Sequence, residues 1–326
     1  MKVLVTGGAG YIGSHTVRAL LGEGHQVVIV DNLIKGHREA IPSEAIFVEG
    51  DIKNQELLIN VMDKYDINGI IHLAAHSLVG ESMEKPGKYY FNNFCNGIGL
   101  LEAMIKCEVK NIVFSSTAAV YGEPEEIPIN EEHTVNPTNV YGESKLFFEK
   151  SLERYSDIYD INYFSLRYFN AAGADPSGEI GEAHDPETHL IPIVLQKVIG
   201  ERDEFYIFGD EYNTRDGSCI RDYIHVNDLA DAHILALKAL ADGKESEVFN
   251  LGNGQGYSVK EVVKKVEEVT DKKIEAEIGQ PRPGDPAKLV ASAEKIKREL
   301  GWNPCYPELE TIIKTAWEWH KGNEFD

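Results

Sequence analysis

Tyr141 and Lys145 stand four residues apart in the segment NVYGESK (139–145). On a helix this spacing places a phenol and an ammonium on one face, one turn apart. A phenol beside a positive charge can move a proton, because the charge favours phenolate and lowers a pKa that is ordinarily about 10. With 15 tyrosines in 326 residues, about one such pair is expected by chance, so its surroundings must decide its role.

A glycine-rich segment, VTGGAGYIG (5–13), follows the first predicted strand and opens the first predicted helix. Gly7, Gly10 and Gly13 form the pattern G-x-x-G-x-x-G. Glycine permits a tight turn and a close approach of the backbone to a pyrophosphate, while the helix N-terminus supplies N–H donors and partial positive charge. The pattern predicts a dinucleotide site, with a simple glycine-rich turn as the alternative.

Acidic residues follow the next two predicted strands. Asp31 lies 18 residues beyond Gly13, where a carboxylate can accept hydrogen bonds from the adenine ribose. Because Asp31 would repel a 2′-phosphate, we expect NAD and not NADP. Asp51 and Ile52 end the third strand region, where an adenine ring can lie. A cap on the following helix is the alternative role for Asp51.

Short β-branched runs alternate with longer helical patterns through the first half of the chain, which indicates a parallel sheet buried on both faces. We therefore predict an α/β fold with a Rossmann-type, doubly wound parallel sheet of about seven strands. The predicted strands are 2–7, 26–31, 46–51, 69–75, 111–116, 162–170 and 247–252. The predicted helices are 12–22, 55–65, 88–107, 142–159, 228–240, 259–269, 292–300 and 308–320.

Glycine and proline become frequent from about residue 174. We predict a dinucleotide-binding domain over 1–173, to which 221–252 returns, and a smaller, interleaved lobe over 174–326 that binds substrate. Open α/β sheets bind ligands at the carboxyl ends of their strands, so we expect the site in the cleft between sheet and lobe.

Composition limits the possible partners. A net charge of −22 would repel nucleic acid, and no apolar run approaches the roughly 20 residues needed to span a bilayer. The four cysteines form no C-x-x-C pair and suggest no disulfide framework. The chain begins MKVLVTGG, without a signal-peptide pattern. We expect a cytoplasmic protein that binds neither membrane nor metal.

Several motifs together resemble the extended short-chain dehydrogenase/reductase family. They are the glycine segment, HLAA (72–75), SSTAAVYG (115–122) and YGESK (141–145). Three downstream segments, RYFNAAGADPSGEIGE, RDYIHVNDLADAH and RPGD, are similar to the UDP-glucose 4-epimerase branch of that family. The resemblance extends over nearly the whole chain, and the order and spacing of the motifs make it specific.

The motifs and the resemblance together imply NAD as cofactor, with Tyr141, Lys145 and Thr117 as catalytic residues. The resemblance implies that Lys145 hydrogen-bonds the nicotinamide ribose, and Thr117 would supply a hydroxyl that holds a sugar oxygen beside Tyr141. The alternative is that Tyr141 packs, Lys145 is solvated and Thr117 caps a loop. The predicted cofactor residues are Gly7, Gly10, Tyr11, Ile12, Gly13, Asp31, Asn32, Asp51, Ile52, Leu73, Ala74, Ala75, Asn92, Ser115, Tyr141, Lys145 and Tyr168.

For the substrate, the resemblance implies a UDP-hexose with its diphosphate held by two arginines, whose planar guanidinium groups suit phosphate oxygens. The predicted substrate residues are Thr117, Asn170, His189, Leu190, Tyr206, Phe208, Arg221, Arg282 and Asp285. A core position is the alternative for Phe208, and an ion pair with Asp222 is the alternative for Arg221. His189 is either a ligand contact or a polar loop residue, and the sequence favours neither.

Ala118 and Ala119 follow Thr117 where dehydratase relatives carry an acidic pair, so proton-transferring side chains for elimination are missing there. The resemblance then implies interconversion of UDP-galactose and UDP-glucose through a 4-keto sugar, with NAD regenerated in each cycle. Another UDP-sugar, or a catalytically silent NAD-sensing role, is the alternative, and Leu289 stands at the position that gates sugar size. We also expect a homodimer formed through the predicted helices 88–107 and 142–159.

Overall fold

A computed structural model describes residues 1–282, 286–322 and 325 of the chain. The predicted ribose contact Asp285 lies outside these residues. The strands are Lys2–Thr6 (β1), Gln26–Asp31 (β2), Ile46–Glu49 (β3), Gly69–His72 (β4), Asn111–Ser115 (β5), Asn162–Tyr168 (β6), Asn170–Ala172 (β7), Tyr206–Phe208 (β8), Ile220–Arg221 (β9), Tyr223–His225 (β10), Glu247–Leu251 (β11), Tyr257–Ser258 (β12), Glu277–Gly279 (β13) and Lys288–Leu289 (β14).

The α-helices surround these strands in sequence and in space. They are Tyr11–Gly22 (α1), Gln55–Tyr65 (α2), Val79–Glu84 (α3), Pro86–Tyr89 (α4), Asn96–Lys106 (α5), Val140–Tyr159 (α6), Leu190–Ile199 (α7), Val226–Ala241 (α8), Val259–Thr270 (α9), Glu294–Leu300 (α10) and Leu309–His320 (α11). In the described part of the chain, no helix has both the length and the apolar composition needed to cross a bilayer.

Seven strands form one parallel sheet in the order β11-β6-β5-β4-β1-β2-β3. These are the seven strands that the sequence predicts. Successive residues of β1 point to opposite faces, with Val3 and Val5 in one core cluster and Leu4 in the other. Helices α1 and α8 cover the first face, and α2, α5 and α6 cover the second. The doubly wound α/β prediction is confirmed.

The predicted helix 88–107 corresponds to one unbroken helical run over residues 86–106, but not all of it is α-helical. A π-helical segment, Tyr90–Cys95, separates α4 from α5. This segment presents Asn93, whose side chain bonds both backbone groups of His76, at 2.9 Å each, and reaches Ser144 Oγ at 3.1 Å. A π turn inserts one extra residue and often marks a functional site. Here the π-helical segment places the side-chain amide of Asn93 in the interior of the protein.

The sequence prediction also missed helices α3 and α7 and several short strands. These strands form three small sheets, β10-β7, β12-β9-β14 and β13-β8. Most contain only two or three residues, which is too short to show a period-2 pattern. Helices α7, α9 and α11 enclose a separate apolar cluster built around Leu195, Val266 and Ile312. Strand β11 pairs with β6 in the main sheet. The chain therefore returns from this separate cluster to the main sheet and afterwards enters the separate cluster again.

Candidate active site

The carboxyl ends of the parallel strands meet at one edge of the main sheet, and most predicted site residues lie there. The glycine segment follows β1, Asp31 ends β2 and Leu73 follows β4. Ser115 ends β5 and Tyr168 ends β6. Strand direction thus brings together residues from five separate segments, as expected for ligand sites in open α/β sheets.

The glycine segment forms a turn that leaves no room for side chains. Gly7 has φ of +77°, and a Cβ there would lie 2.6 Å from the backbone N of Ala74. A Cβ on Gly13 would lie 2.0 Å from the carbonyl oxygen of Gly7. Helix α1 starts directly after this turn, and the first N–H groups of a helix have no acceptor within it. The bare backbone and free donors fit a pyrophosphate.

Tyr11 and Ile12 begin α1, but their side chains are engaged within the protein. The Tyr11 hydroxyl donates to the carbonyl oxygen of Gly173 at 2.6 Å, and Ile12 packs against the core cluster. Burial and the nearby carboxylates of Glu182 and Glu187 raise the pKa of Tyr11 well above its usual value. We therefore expect these two residues to meet a cofactor through backbone N–H groups.

Asp31 is tied to the glycine segment. Its Oδ2 accepts a hydrogen bond from the backbone N–H of Ala9 at 3.0 Å, and its Oδ1 accepts one from Leu33 at 2.9 Å. Burial raises the pKa of this carboxyl group, and the backbone donors oppose the shift. The carboxylate is therefore held at the end of β2, where the predicted ribose contact requires it.

Asp51 does not cap the following helix. Asn54 does so instead, accepting from the backbone N–H of Leu57 at 3.1 Å. Asp51 accepts from the amide of Asn32 at 3.2 Å, which links two predicted cofactor residues. Ile52 is buried in the core cluster beneath them. The capping alternative for Asp51 is therefore wrong.

The N-terminus of α6 is shaped so that Tyr141 meets Thr117. The Asn139 side chain caps the helix by accepting from the backbone N–H of Gly142 at 2.8 Å. A Cβ on Gly142 would lie 2.5 Å from the carbonyl oxygen of Ala119, so glycine allows the helix to pack against the turn after Thr117. The Tyr141 phenol thereby comes near the Thr117 hydroxyl, which opposes the rise that burial causes in the pKa of the phenol.

Lys145, one turn further along α6, is not a solvated surface residue. Its side chain is buried, with 3% exposed, and its Nζ donates to the carbonyl oxygen of Ser115 at 2.8 Å. The Ser115 hydroxyl contacts the Tyr168 hydroxyl at 2.9 Å and His233 Nε2 at 3.3 Å. The part of the alternative in which Lys145 is solvated is therefore wrong. Its other two parts agree with the structure, since the Tyr141 side chain is buried and Thr117 Oγ1 caps the turn by accepting from the backbone N–H of Ala119.

The electrostatics of this pair differ from the sequence prediction. Burial raises the pKa of Tyr141, and the nearby Thr117 hydroxyl only opposes that shift. Burial also lowers the pKa of Lys145 to about 7, with the charge of Glu149 opposing. Lys145 therefore does not by itself lower the pKa of Tyr141, because desolvation exceeds the attraction between them. The nicotinamide ring of NAD⁺ would bring a second positive charge to the site.

A buried ion pair fixes α6 against the sheet. Arg167 on β6 donates to both carboxylate oxygens of Glu149, at 3.0 and 2.6 Å, and to the Tyr121 hydroxyl at 3.0 Å. Ser116 donates to the same carboxylate at 2.5 Å. Glu149 lies one turn beyond Lys145, so this pair sets the position of the helix relative to β5 and the residues that follow it.

The predicted sugar-phosphate contacts lie at the small sheets beside this edge. The Asn170 side chain donates to the carbonyl oxygen of Asp222 at 2.8 Å, which joins β7 to β10. The Asp222 carboxylate accepts backbone N–H groups of Asn253, Gly254 and Ala291, at 2.8 to 3.0 Å. The structure contains no ion pair between Arg221 and Asp222, both of which it describes. That alternative for Arg221 is wrong.

Phe208 is not a core residue. It is 38% exposed on β8, and the Arg282 guanidinium carbon lies 4.2 Å from its ring centroid. The Tyr206 ring lies 6.3 Å from the Phe208 ring. Leu289, the predicted gate residue, pairs in register with Arg221 and packs against the cluster that contains Leu146. Leu289 thus lies between Arg221 of β9 and the α6 residue Leu146.

His189 and Leu190 lie at the start of α7. The Nδ1 of His189 contacts the buried carboxylate of Glu182, while Leu190 packs against the apolar cluster of the lobe. His189 is therefore not simply a polar loop residue, because its ring is paired with the carboxylate of Glu182. Asn92 lies beside Asn93 and donates to it at 3.0 Å.

Sequence reasoning missed Asn93, Tyr121, Glu149, Arg167 and His233. Tyr121, Arg167 and His233 lie within motifs that carry the family resemblance, but the motifs do not show what these side chains bind. The partners lie between 17 and 129 residues away. Glu149 alone had a signal, since its four-residue spacing from Lys145 continues the face on which Tyr141 and Lys145 stand. A buried acidic residue at that register would have predicted a basic partner on the sheet.

Comparisons with known proteins agree with this geometry. The model of a family described as NAD dependent epimerase/dehydratase matches residues 3–252. A UDP-glucose 4-epimerase of Halalkalibacterium halodurans is 56% identical over 321 residues, covering 98% of this chain and 96% of the relative.

Two solved structures are similar over nearly their whole length. The UDP-glucose 4-epimerase of Brucella ovis in complex with NAD has a TM-score of 0.95 at 46% identity and covers 97% of each chain. The enzyme of Bifidobacterium longum in complex with NAD⁺ and UDP has a TM-score of 0.93 at 38% identity and covers 99% of each chain.

Replacement of Glu149 by glutamine should strongly destabilise the protein, because it leaves the Arg167 charge buried without its partner. We expect the unfolding free energy to fall by about 3–5 kcal/mol, measured by urea denaturation. Glu153→Gln, at an exposed position one turn further along α6, is the control and should change stability by less than about 0.5 kcal/mol. Equal effects of the two substitutions would contradict the assigned role of Glu149.

Burial of Lys145 should make stability depend on pH. The pKa is lowered from 10.5 to about 7, so between these values the unfolded chain binds a proton that the folded chain lacks. The unfolding free energy should therefore rise with pH across this window, by up to about 1.4 kcal/mol per pH unit from this residue.

The comparison is made with the nucleotide-free protein and its Lys145→Met variant, whose unfolding free energy lacks this contribution. The difference between the two should grow from pH 7 to pH 10. Lys150→Met, at an exposed position on the same helix, should follow the unsubstituted protein throughout. A difference that stays constant with pH would show that Lys145 keeps its ordinary pKa.

Proposed function

This chain belongs to the NAD dependent epimerase/dehydratase family, and we propose that it interconverts UDP-galactose and UDP-glucose by reversible oxidation at C4 of the sugar. The observation that carries the proposal is the buried Tyr141 phenol, one helical turn from a buried Lys145 whose Nζ lies 6.0 Å from the centroid of the Tyr141 ring. These groups lie at the same sheet edge as the glycine turn. Proton transfer and dinucleotide binding are therefore combined in one site.

NAD is the cofactor, and the side-chain-free glycine turn supports its placement. The Gly7–Gly13 turn would hold the pyrophosphate and Asp31 the adenine ribose. When bound, NAD supplies the hydride acceptor and donor and, as NAD⁺, a positive charge in the site. Lys145 and Ser115 are proposed to position the nicotinamide side, since Lys145 is already fixed by the Ser115 carbonyl at 2.8 Å.

Tyr141 is proposed as the group that takes the proton from the sugar 4-hydroxyl and later returns it. A buried tyrosine keeps its proton in the protein alone, because burial raises its pKa. A cation in the site lowers the pKa again, which couples proton transfer to cofactor occupancy. Thr117 lies near Tyr141 and is proposed to hold the same sugar oxygen.

The two residues after Thr117 provide no side chain that could transfer a proton for the elimination of water. Ala118 and Ala119 occupy the 3₁₀ turn there and can neither donate nor accept a proton through their side chains. A 4-keto sugar formed in this site therefore returns to the alcohol. Reduction from its other face gives the 4-epimer and restores the cofactor, so no external redox partner is required.

For the nucleotide, we propose that Arg221 and Arg282 bind the diphosphate and that Phe208 and Tyr206 flank the uracil. Arg282 already lies over the Phe208 ring, so a cation and an aromatic surface stand side by side. Asn170, Leu190 and Asp285 complete the proposed substrate set. We likewise propose the division into a dinucleotide lobe over 1–173 with 221–252 and a substrate lobe over 174–326, supported by the separate apolar cluster of the lobe.

The test uses the purified full chain with the nucleotide that it retains. Absorbance should reveal bound nicotinamide, and UDP-galactose supplied without added NAD should be converted to UDP-glucose. Tyr141→Phe should lower turnover by roughly 10²- to 10⁴-fold, the range for loss of a general acid or base. Tyr65→Phe, on α2, should retain turnover.

Two results would overturn the proposal. Bound NAD with no conversion of any UDP-hexose would indicate an NAD-sensing protein on this fold. Near-normal turnover of Tyr141→Phe would show that another group transfers the proton.

We also propose that two copies of the chain associate through the π-helical segment and α6. Phe91 is 70% exposed, and Phe147 packs against the rings of Tyr90 and Phe94, at 6.0 and 5.8 Å. Exposed aromatic clusters of this kind mark interaction surfaces.

Light scattering should find a dimer, and Phe147→Lys should shift it to the monomer by placing a charge in the interface. Ile278→Lys, at an exposed apolar position on β13, should remain dimeric. A monomeric unsubstituted protein would refute the proposal.

We propose a cytoplasmic location because all four cysteines are free thiols, and free thiols suit a reducing compartment. Immunolocalisation of the native protein in its cell would test this.

A further inference from the structure

Four potential metal ligands converge on the loop between β7 and α7. They are Glu182, His184, Glu187 and His189, and one ligand atom from each lies within 4.8 Å of every other. The catalytic and cofactor assignments above do not use Glu182, His184 or Glu187. We propose that this loop, 182–189, binds one divalent transition-metal ion, with Zn²⁺ as the best match to its donors.

The donor geometry is close to that of a closed metal site. His184 Nδ1 lies 3.0 Å from Glu182 Oε1 and 3.9 Å from Glu187 Oε1, and His189 Nδ1 contacts the same oxygen of Glu182. Ligands about 2.0–2.1 Å from a tetrahedral zinc stand roughly 3.3 Å apart. The two imidazole nitrogens and two carboxylate oxygens, all within 4.8 Å of one another, would therefore have to draw together by up to about 1.5 Å to surround an ion.

Charge provides an independent argument. Glu182 is 2% exposed and Glu187 is 7% exposed, so two carboxylates stand close together away from water. Among the described residues, neither forms an ion pair with a lysine or arginine, and their ion-pair partners are histidines. Buried carboxylates require compensation. A divalent cation with two neutral imidazoles and two carboxylates gives a net charge of zero.

The loop is also held in place by groups that do not bind the ion. Glu187 Oε1 accepts the backbone N–H groups of Thr188 and His189, at 2.6 and 2.8 Å. The Glu182 carbonyl oxygen accepts from Trp319 Nε1 at 3.0 Å. Such second contacts orient metal ligands before the ion arrives. A cavity lined in part by Glu182, His184, Glu187 and His320 adjoins the cluster and provides a path for entry.

The location indicates what the ion would do. The His184 ring lies edge-on to the Tyr11 ring, 6.1 Å between centroids, and His37 Nε2 contacts the carbonyl oxygen of Ala183 at 2.7 Å. The Lys35 ammonium donates to the carbonyl oxygen of Asp185. The loop therefore joins the first turn of α1 to the segment after β2. The ion would fix this connection beside the glycine turn, as a structural and not a catalytic metal.

The sequence predicts no metal site, because the four ligands form the spacing E-x-H-x-x-E-x-H on an irregular loop. Residues with that spacing share no face of a helix or strand. The proposal also gives His189 a specific role, as a metal ligand, where the sequence left its role open. Without an ion, the competing explanation is a protonated histidine paired with Glu182.

Zinc binding by the full chain tests the proposal. The protein is treated with iodoacetamide to block exposed thiols, stripped with EDTA, dialysed and titrated with ZnCl₂ by calorimetry, with bound metal counted by mass spectrometry. We expect one Zn²⁺ per chain and a higher melting temperature when it is bound, because a ligand that binds the folded state stabilises it.

Two single variants identify the ligands. His184→Gln and His189→Gln should each weaken Zn²⁺ binding by at least about tenfold and abolish the rise in melting temperature. His133→Gln, a histidine of another loop, should bind zinc as the unsubstituted chain does. Circular dichroism confirms that each variant is folded, and Glu187→Gln replaces any that is not.

Two outcomes would overturn the proposal. One is the absence of stoichiometric zinc binding, which would leave a protonated histidine as the partner of Glu182. The other is zinc binding that survives unchanged in both histidine variants, which would place the metal elsewhere.

Discussion

The buried ion pair between Glu149 and Arg167 determines where the catalytic helix stands. Helix α6 carries Tyr141 and Lys145, whereas their partners Thr117 and Ser115 belong to the end of β5 and the residues after it. Two parallel Arg–carboxylate bonds and the bond from Ser116 connect this helix to β5 and β6 at one register. Such an ion pair adds geometric precision more readily than net stability. The site requires that precision, because proton transfer depends on hydrogen-bond distance.

The same edge of the sheet places the dinucleotide turn within reach of that helix. Gly7 meets the backbone of Ala74 so closely that no side chain fits between them, and the Lys145 ammonium reaches the carbonyl oxygen of Ser115. Residues that would bind NAD and residues that would move a proton are therefore supported by neighbouring strands. Strand direction alone produces this arrangement, because the carboxyl ends of all seven parallel strands in the main sheet lie on the same side.

Buried carboxylates are neutralised in three different ways in this protein. Glu149 pairs with an arginine, and Asp222 accepts three backbone N–H groups. Glu182 and Glu187 differ from both, because their partners are histidines and backbone amides. Unlike guanidinium, imidazole can lose its charge near physiological pH. This difference is the basis of the cation site proposed for the 182–189 loop within a chain of net charge −22.

The sequence by itself determined the seven-stranded sheet, the glycine turn and the pairing of Tyr141 with Lys145, because each depends on local patterns. Periods of two and 3.6 residues identify strands and helices, and glycine spacing identifies a turn. Only the tertiary structure decided that Lys145 is buried, that Glu149 meets Arg167, and that four ligands converge on the 182–189 loop. Burial and pairing depend on residues far apart in sequence, and an irregular loop has no period from which side-chain directions follow. Short strands such as β9 and β14 were undetectable for the same reason, since each exists only through its partner.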